Sequence, residues 1–152
     1  MTRSNAREIA LHLIYAQQCS GQSADEVLRS RLDEGYYACL SQESEVYAEQ
    51  PSPKQRAYIT DVVKGVSEKQ EELSGYVAEF SIGWSVRRIS RLARAIMELA
   101  MYEALYVPDV PFNAAIHEAV VLARKYEEDE TASFVNGVLG SFSRKYAEGD
   151  RS

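Results

Sequence analysis

Residues 109–146 read DVPFNAAIHEAVVLARKYEEDETASFVNGVLGSFSRKY. Pro111, with Pro108 just before it, ends the helix that precedes this stretch, because proline lacks an amide donor and its ring clashes with the turn behind it. Two shorter helices follow, over about 112–126 and 131–147. The acid pairs between them, such as Glu127 and Glu130, read as a solvated loop. The second helix carries Phe134, Val135, Val138, Leu139, Phe142 and Tyr146 at intervals that stack them on one side.

The same spacing extends back to the N-terminus. Ile89, Leu92, Ala93, Ile96, Met97, Ala100, Ala104 and Leu105 trace one helix after a break at SIGW, residues 81–84. Before it, Ser52 as N-cap and Pro53 at the first helical position open a long helix through Tyr58, Ile59, Val62, Val63, Val66, Leu73, Val77 and Phe80, with Gly65 and Gly75 as places to bend or divide it. Residues 41–52, SQESEVYAEQPS, read as a polar surface connection. A helix to about Leu40 begins at the Ser23–Glu26 capping box. A first helix over about 5–20 begins at Asn5–Glu8 and stops at Gly21. Neither an internal repeat nor a β-type alternation competes. The chain is therefore expected to be all-α, with six or seven helices in two small bundles packed together. The sub-bundles fall at about 3–80 and 84–148, joined near 81–85, within a single domain over residues 1–152.

A chain of 152 residues is long enough for one domain that buries roughly 68–70% of its unfolded surface. No apolar run approaches the ~18 residues that cross a bilayer, and MTRSNAREIA lacks the apolar centre of a signal peptide, so a cytoplasmic protein is expected, with no membrane partner. Cys19 and Cys39 fit neither a disulfide framework nor a metal pair and read as free thiols. His12 and His117 are isolated, with no carboxylate cluster at metal spacing, and no P-loop, nucleophile elbow or dinucleotide fingerprint occurs. Neither a catalytic residue, a cofactor nor a metal is expected. The 23 acidic and 17 basic residues give a net charge of −6. That field repels a polyanion, so nucleic-acid binding has to be local or completed by a basic partner.

The C-terminal third, DVPFNAAIHEAVVLARKY followed by FVNGVL at 134–139, resembles the signature of the NusB family. Two further blocks agree. Trp84, Arg88, Arg94, Ala95, Ile96, Leu99, Ala100, Tyr102 and Glu103 resemble one of them, and Ala6, Arg7, Glu8, Ala10 and Tyr15 resemble the family's N-terminal start. Three blocks in order, from about residue 3 to 147, make the resemblance specific. It implies an all-α protein that binds boxA RNA of ribosomal RNA leaders together with NusE, a small-subunit ribosomal protein. It also implies a role in transcription antitermination alongside other antitermination factors and RNA polymerase. Some relatives self-associate, so a homo-oligomer is compatible with it. A basic ribosomal partner would offset this chain's acidity. A similar helical domain precedes the catalytic part of some ribosomal RNA methyltransferases, but no nucleotide-binding βαβ pattern occurs here.

The resemblance also implies site residues. Arg3 and Arg7 stand in the family's N-terminal basic segment, where guanidinium groups meet phosphates and stack on bases; the alternative is two solvated arginines. Tyr15 aligns with a tyrosine on the RNA-facing side, against the alternative of half-buried core. Phe134 aligns with an RNA-surface phenylalanine, again against a core reading, and Glu130 with an acidic residue that modulates RNA affinity. The start of this last helix has amide donors that can face phosphate. Asn136 and Gly137 fit a close helix crossing, since glycine inside a helix is unfavourable by roughly 1 kcal/mol. Arg87, Arg88, Arg91 and Arg94 form a basic stripe, a candidate phosphate track, with Glu98 and Glu103 within pairing reach and a solvated face as the commoner alternative; Arg87, Arg88, Arg91, Glu98 and Glu103 are the partner-facing set for NusE. Glu98 stands where relatives carry arginine. His117, in place of a family asparagine, is expected to hydrogen-bond at a helix packing site.

Overall fold

Helix α1, Arg3–Ser20, begins two residues earlier than its capping-box spacing suggests. Thr2 is the N-cap: its hydroxyl accepts the Asn5 amide at 3.1 Å, which makes Asn5 the third helical residue rather than the cap. The helix stops at Gly21, whose φ of 75° is left-handed and whose amide bonds back to Gln17. The computed structural model describes residues 1–81 and 89–149, and among these it contains eight α-helices, a short 3-10 turn and no strand.

Two of the expected helices are each divided in the structure. Ser23 caps α2, Ala24–Arg31, as its spacing predicts, but the chain does not run on as helix to Leu40. Asp33 accepts the Tyr36 amide at 3.2 Å and starts a separate helix α3, Glu34–Leu40. The long helix also splits, though at neither glycine. Helix α4, Pro53–Glu68, and helix α5, Gln70–Phe80, meet at Lys69, whose ψ of 17° leaves the helical range. Residues 41–52 are more than a solvated connection. They contain the 3-10 turn Glu45–Tyr47 with Val46 buried, and the Tyr47 hydroxyl lies 2.6 Å from His12 Nδ1. The Tyr37 hydroxyl donates to the Glu49 carbonyl at 2.8 Å.

The described chain divides into two compact units, Met1–Glu68 and the part from Lys69 onward. In the first, α1 packs on α4 and α2, and the buried stripe includes Ile9, Leu13, Val27, Ile59, Val62 and Val66. Burial of each such side chain stabilises the fold by about 1.5–3 kcal/mol relative to exposure. The second unit contains α5, α6 (Arg91–Tyr106), α7 (Phe112–Tyr126) and α8 (Asp129–Gly149). The sequence groups α5 with the N-terminal bundle, with a junction near 81–85. The structure places α5 with α6 and α8 instead, its Leu73 and Val77 buried, so the boundary falls twelve or more residues earlier.

Helix α6 is packed by α5, α7 and α8 at once, and ten of its residues, Ala93, Ala95–Glu103, are buried. A helix enclosed on that many sides needs an apolar circumference rather than a stripe, which the run AIMELAMY supplies. Beside it, Phe142 is ringed by Tyr76, Phe80, Phe112 and Tyr146 at centroid distances of 5.5, 6.1, 5.9 and 5.1 Å.

Tyr37, Tyr47 and Tyr76 are pushed up to about 12 chiefly by burial, and Tyr106 to about 12 chiefly by donating to the Glu72 carboxylate at 2.5 Å. Each stays neutral in the fold at a pH where the unfolded chain's tyrosines ionise near 10. Their contribution is therefore complete below about pH 10 and is lost as pH rises through 12. A phenolate-absorbance titration is expected to show a late native fraction near pH 12 that moves to about 10 in denaturant. A single native midpoint near 10 would contradict this.

Candidate nucleic-acid interface

The start of α1 is held against α4. Gln55 Nε2 donates to the Met1 carbonyl at 3.1 Å, and the Arg3 guanidinium carbon lies 4.4 Å from the centre of the Tyr58 ring. Arg3 is half-buried. Arg7, one turn on, is only 6% exposed, and Glu8 beside it is also buried. The reading of Arg7 as a phosphate-facing side chain therefore meets a steric obstacle: the helix turns that position toward the core. Tyr15, further along α1, is 39% exposed.

The other two RNA-facing candidates belong to the second unit. Glu130 is exposed in the first turn of α8. Phe134 is 9% exposed and forms part of the core, so its core reading is the one the structure matches. Asp129 and Glu130 already place carboxylates at the α8 N-terminus, where they complement the helix dipole and compete with any phosphate. Asn136 and Gly137 do not sit at a close helix crossing. Both are exposed, and a Cβ added at Gly137 would meet nothing within 4 Å. His117 is likewise exposed on α7 rather than at a packing site.

The arginine stripe is reorganised by the burial of α6. Arg87 and Arg88, with Trp84, lie outside the described residues. Arg91 is exposed, whereas Arg94 is half-buried and lines a cavity of about 220 Å³ with Ser74, Val77, Ala78, Ile89 and Glu98. Glu98 and Glu103, expected on a partner-facing surface, are 2% and 1% exposed. The Glu98 carboxylate accepts from Gln70 Nε2 at 2.7 Å and from the Ser74 hydroxyl at 3.2 Å. Charged groups so buried are tolerated only when such donors replace water, so Glu98 secures α5 to α6 instead of presenting charge outward. Signals for this were thin in sequence, where a carboxylate in a helix reads as solvated.

Among the described residues, no helix is long and apolar enough to cross a membrane, and no group of three or more metal-ligating side chains converges. Cys19 and Cys39 are free and exposed.

These features define a protein of two units, all-helical among the described residues, with half-buried Arg3 and exposed Tyr15 on α1. The NusB family model matches residues 4–144. The transcription antitermination protein NusB of Acetivibrio thermocellus is 41% identical over 140 residues, which cover 92% of this chain and 87% of that protein. Solved relatives agree in fold. NusB of T. maritima superposes with a TM-score of 0.78 at 22% identity, covering 97% of this chain and 94% of that one. A chain from a crystal structure of antitermination factors NusB and NusE in complex with dsRNA gives 0.73 at 19% identity, covering 95% and 97%. The chain belongs to the NusB family.

The difference between Arg3 and Arg7 is measurable by urea unfolding. Arg7→Glu places a second carboxylate beside buried Glu8 and is expected to destabilise the fold by about 3 kcal/mol or more. Arg3→Glu is expected to stay within about 1 kcal/mol of the parent, since loss of a ring contact is offset by an acid at the helix N-terminus. Equal losses would show that Arg7 is not the buried one.

Proposed function

We propose that this chain is a transcription antitermination factor. It binds a boxA-like single-stranded RNA together with NusE and so supports transcription of ribosomal RNA as part of a larger complex with RNA polymerase. The observation that supports this most is the 41% identity to a named antitermination protein over 92% of the chain. The charge balance fits recognition divided between two proteins. A chain at −6 contributes a small contact patch, and a basic ribosomal partner contributes phosphate neutralisation. Arg3 and Tyr15 are the contacts assigned to RNA, with Glu130 tempering affinity, and among the described members of the partner-facing set Arg91 is the exposed one. In this reading the two units act as one RNA-binding domain, in the cytoplasm, and the chain is a binding protein rather than an enzyme.

Burial of Arg7 and Phe134 favours a second reading, a protein-interaction scaffold of the same fold with little RNA affinity of its own. Fluorescence anisotropy with labelled boxA RNA, a scrambled strand and a duplex of the boxA sequence, each with and without NusE, separates the two. The first reading expects boxA to bind more tightly than the scrambled strand, with the preference increased by NusE. Equal binding of both strands in both conditions rejects it, and co-purification with NusE without any RNA shift selects the scaffold.

A further inference from the structure

Arg3 occupies an electrostatically awkward place. It is the first residue of α1, where unpaired amides carry the positive end of the helix dipole, and no acidic residue stands in that turn. A ring face from a neighbouring helix is one group that favours a cation here. Tyr58 of α4 supplies it: the ring presents its electron-rich face to the guanidinium at 4.4 Å, within the range of a cation–π contact. The ring is itself 8% exposed and flanked by buried Ile59 and Val62, so it is a fixed platform rather than a mobile side chain. Gln55, on the same helix, ties down the Met1 carbonyl two residues away. The first residues of the chain are thus laid along α4, and Arg3 is ordered before any ligand arrives.

We propose that Tyr58 is a positioning residue for RNA recognition: by stacking on Arg3 it fixes the plane of the guanidinium and the direction of its donor fork toward single-stranded RNA. This role rests on the RNA-binding reading above. A planar donor recognises phosphate and base edges by geometry, so a guanidinium held in one plane loses less freedom on binding than one on a free arm. It also gives the segment MTRSNAR, thin in charge, one ordered arginine with which to contribute to recognition.

The test is a double-mutant cycle on the full chain, read as Kd for labelled boxA RNA, with thermal melting of every variant. Arg3→Ala and Tyr58→Leu are each expected to weaken binding on the order of fivefold, and the double variant no further. Tyr58→Phe keeps the ring and is expected to bind like the parent. Phenylalanines with increasing fluorination at position 58 keep the shape but drain the ring face. They are expected to weaken binding stepwise with Arg3 present and not at all in Arg3→Ala, which gives an answer even if Tyr58→Leu fails to fold. Additive losses, a flat fluorine series, or coupling that appears in NusE binding and not in RNA binding would overturn the role while leaving RNA recognition standing. Absence of boxA preference in the parent chain would instead reject the RNA reading, and this role with it.

Discussion

Enclosure of α6 is the constraint from which the second unit's arrangement follows. A helix packed by three neighbours has no side to give to solvent, so even its carboxylates must be paired inside. Glu98 meets that demand through Gln70 and Ser74 of α5. The interaction has the character of a buried polar clamp. Its net contribution to stability is modest, but removing one donor leaves a buried carboxylate oxygen short of a hydrogen bond, which costs about 1–3 kcal/mol. That asymmetry explains why α5 belongs with α6 despite being continuous in pattern with α4.

The functional consequence concerns which charges reach the surface. Of the candidate site residues, Glu98, Glu103, Arg7 and Phe134 are taken up by internal packing, Arg3 and Arg94 are half-buried, and Tyr15, Arg91 and Glu130 reach the surface. The exposed cations, among them Arg29, Lys64, Arg124 and Lys145, stand in a chain whose 23 acids outnumber its 17 bases, so the net field does not favour a polyanion. Under the proposed function, recognition is a small contact in which the order of each side chain matters more than their number, with the bulk of phosphate neutralisation left to a companion.

Much of this was legible in the residues. Helix α7 was readable to the residue because Pro111 and the helical spacing agree, and the end of α1 because Gly21 alone relieves a left-handed turn. The break before α3 was signalled by Asp33 three residues ahead of Tyr36, but the apolar pair Leu32 and Tyr36 continues the stripe and hides it. Nothing in the sequence marks Lys69, since Val66, Leu73 and Val77 keep one period across it. Site residues were harder. Arg7 and Phe134 match family positions, yet exposure is set by what packs on them, and a motif does not carry that information. The Arg3–Tyr58 contact joins positions far apart in the chain, which no local spacing connects.

Whether a small ordered patch, not a phosphate track, carries RNA recognition is decided most directly by salt dependence. Measured for the chain without its partner, the slope of log K against log salt is predicted to be about −1 to −2, the release of one to three counterions from a single strand. A slope of about −5 or steeper would mean an extended basic surface and would contradict recognition by a small patch.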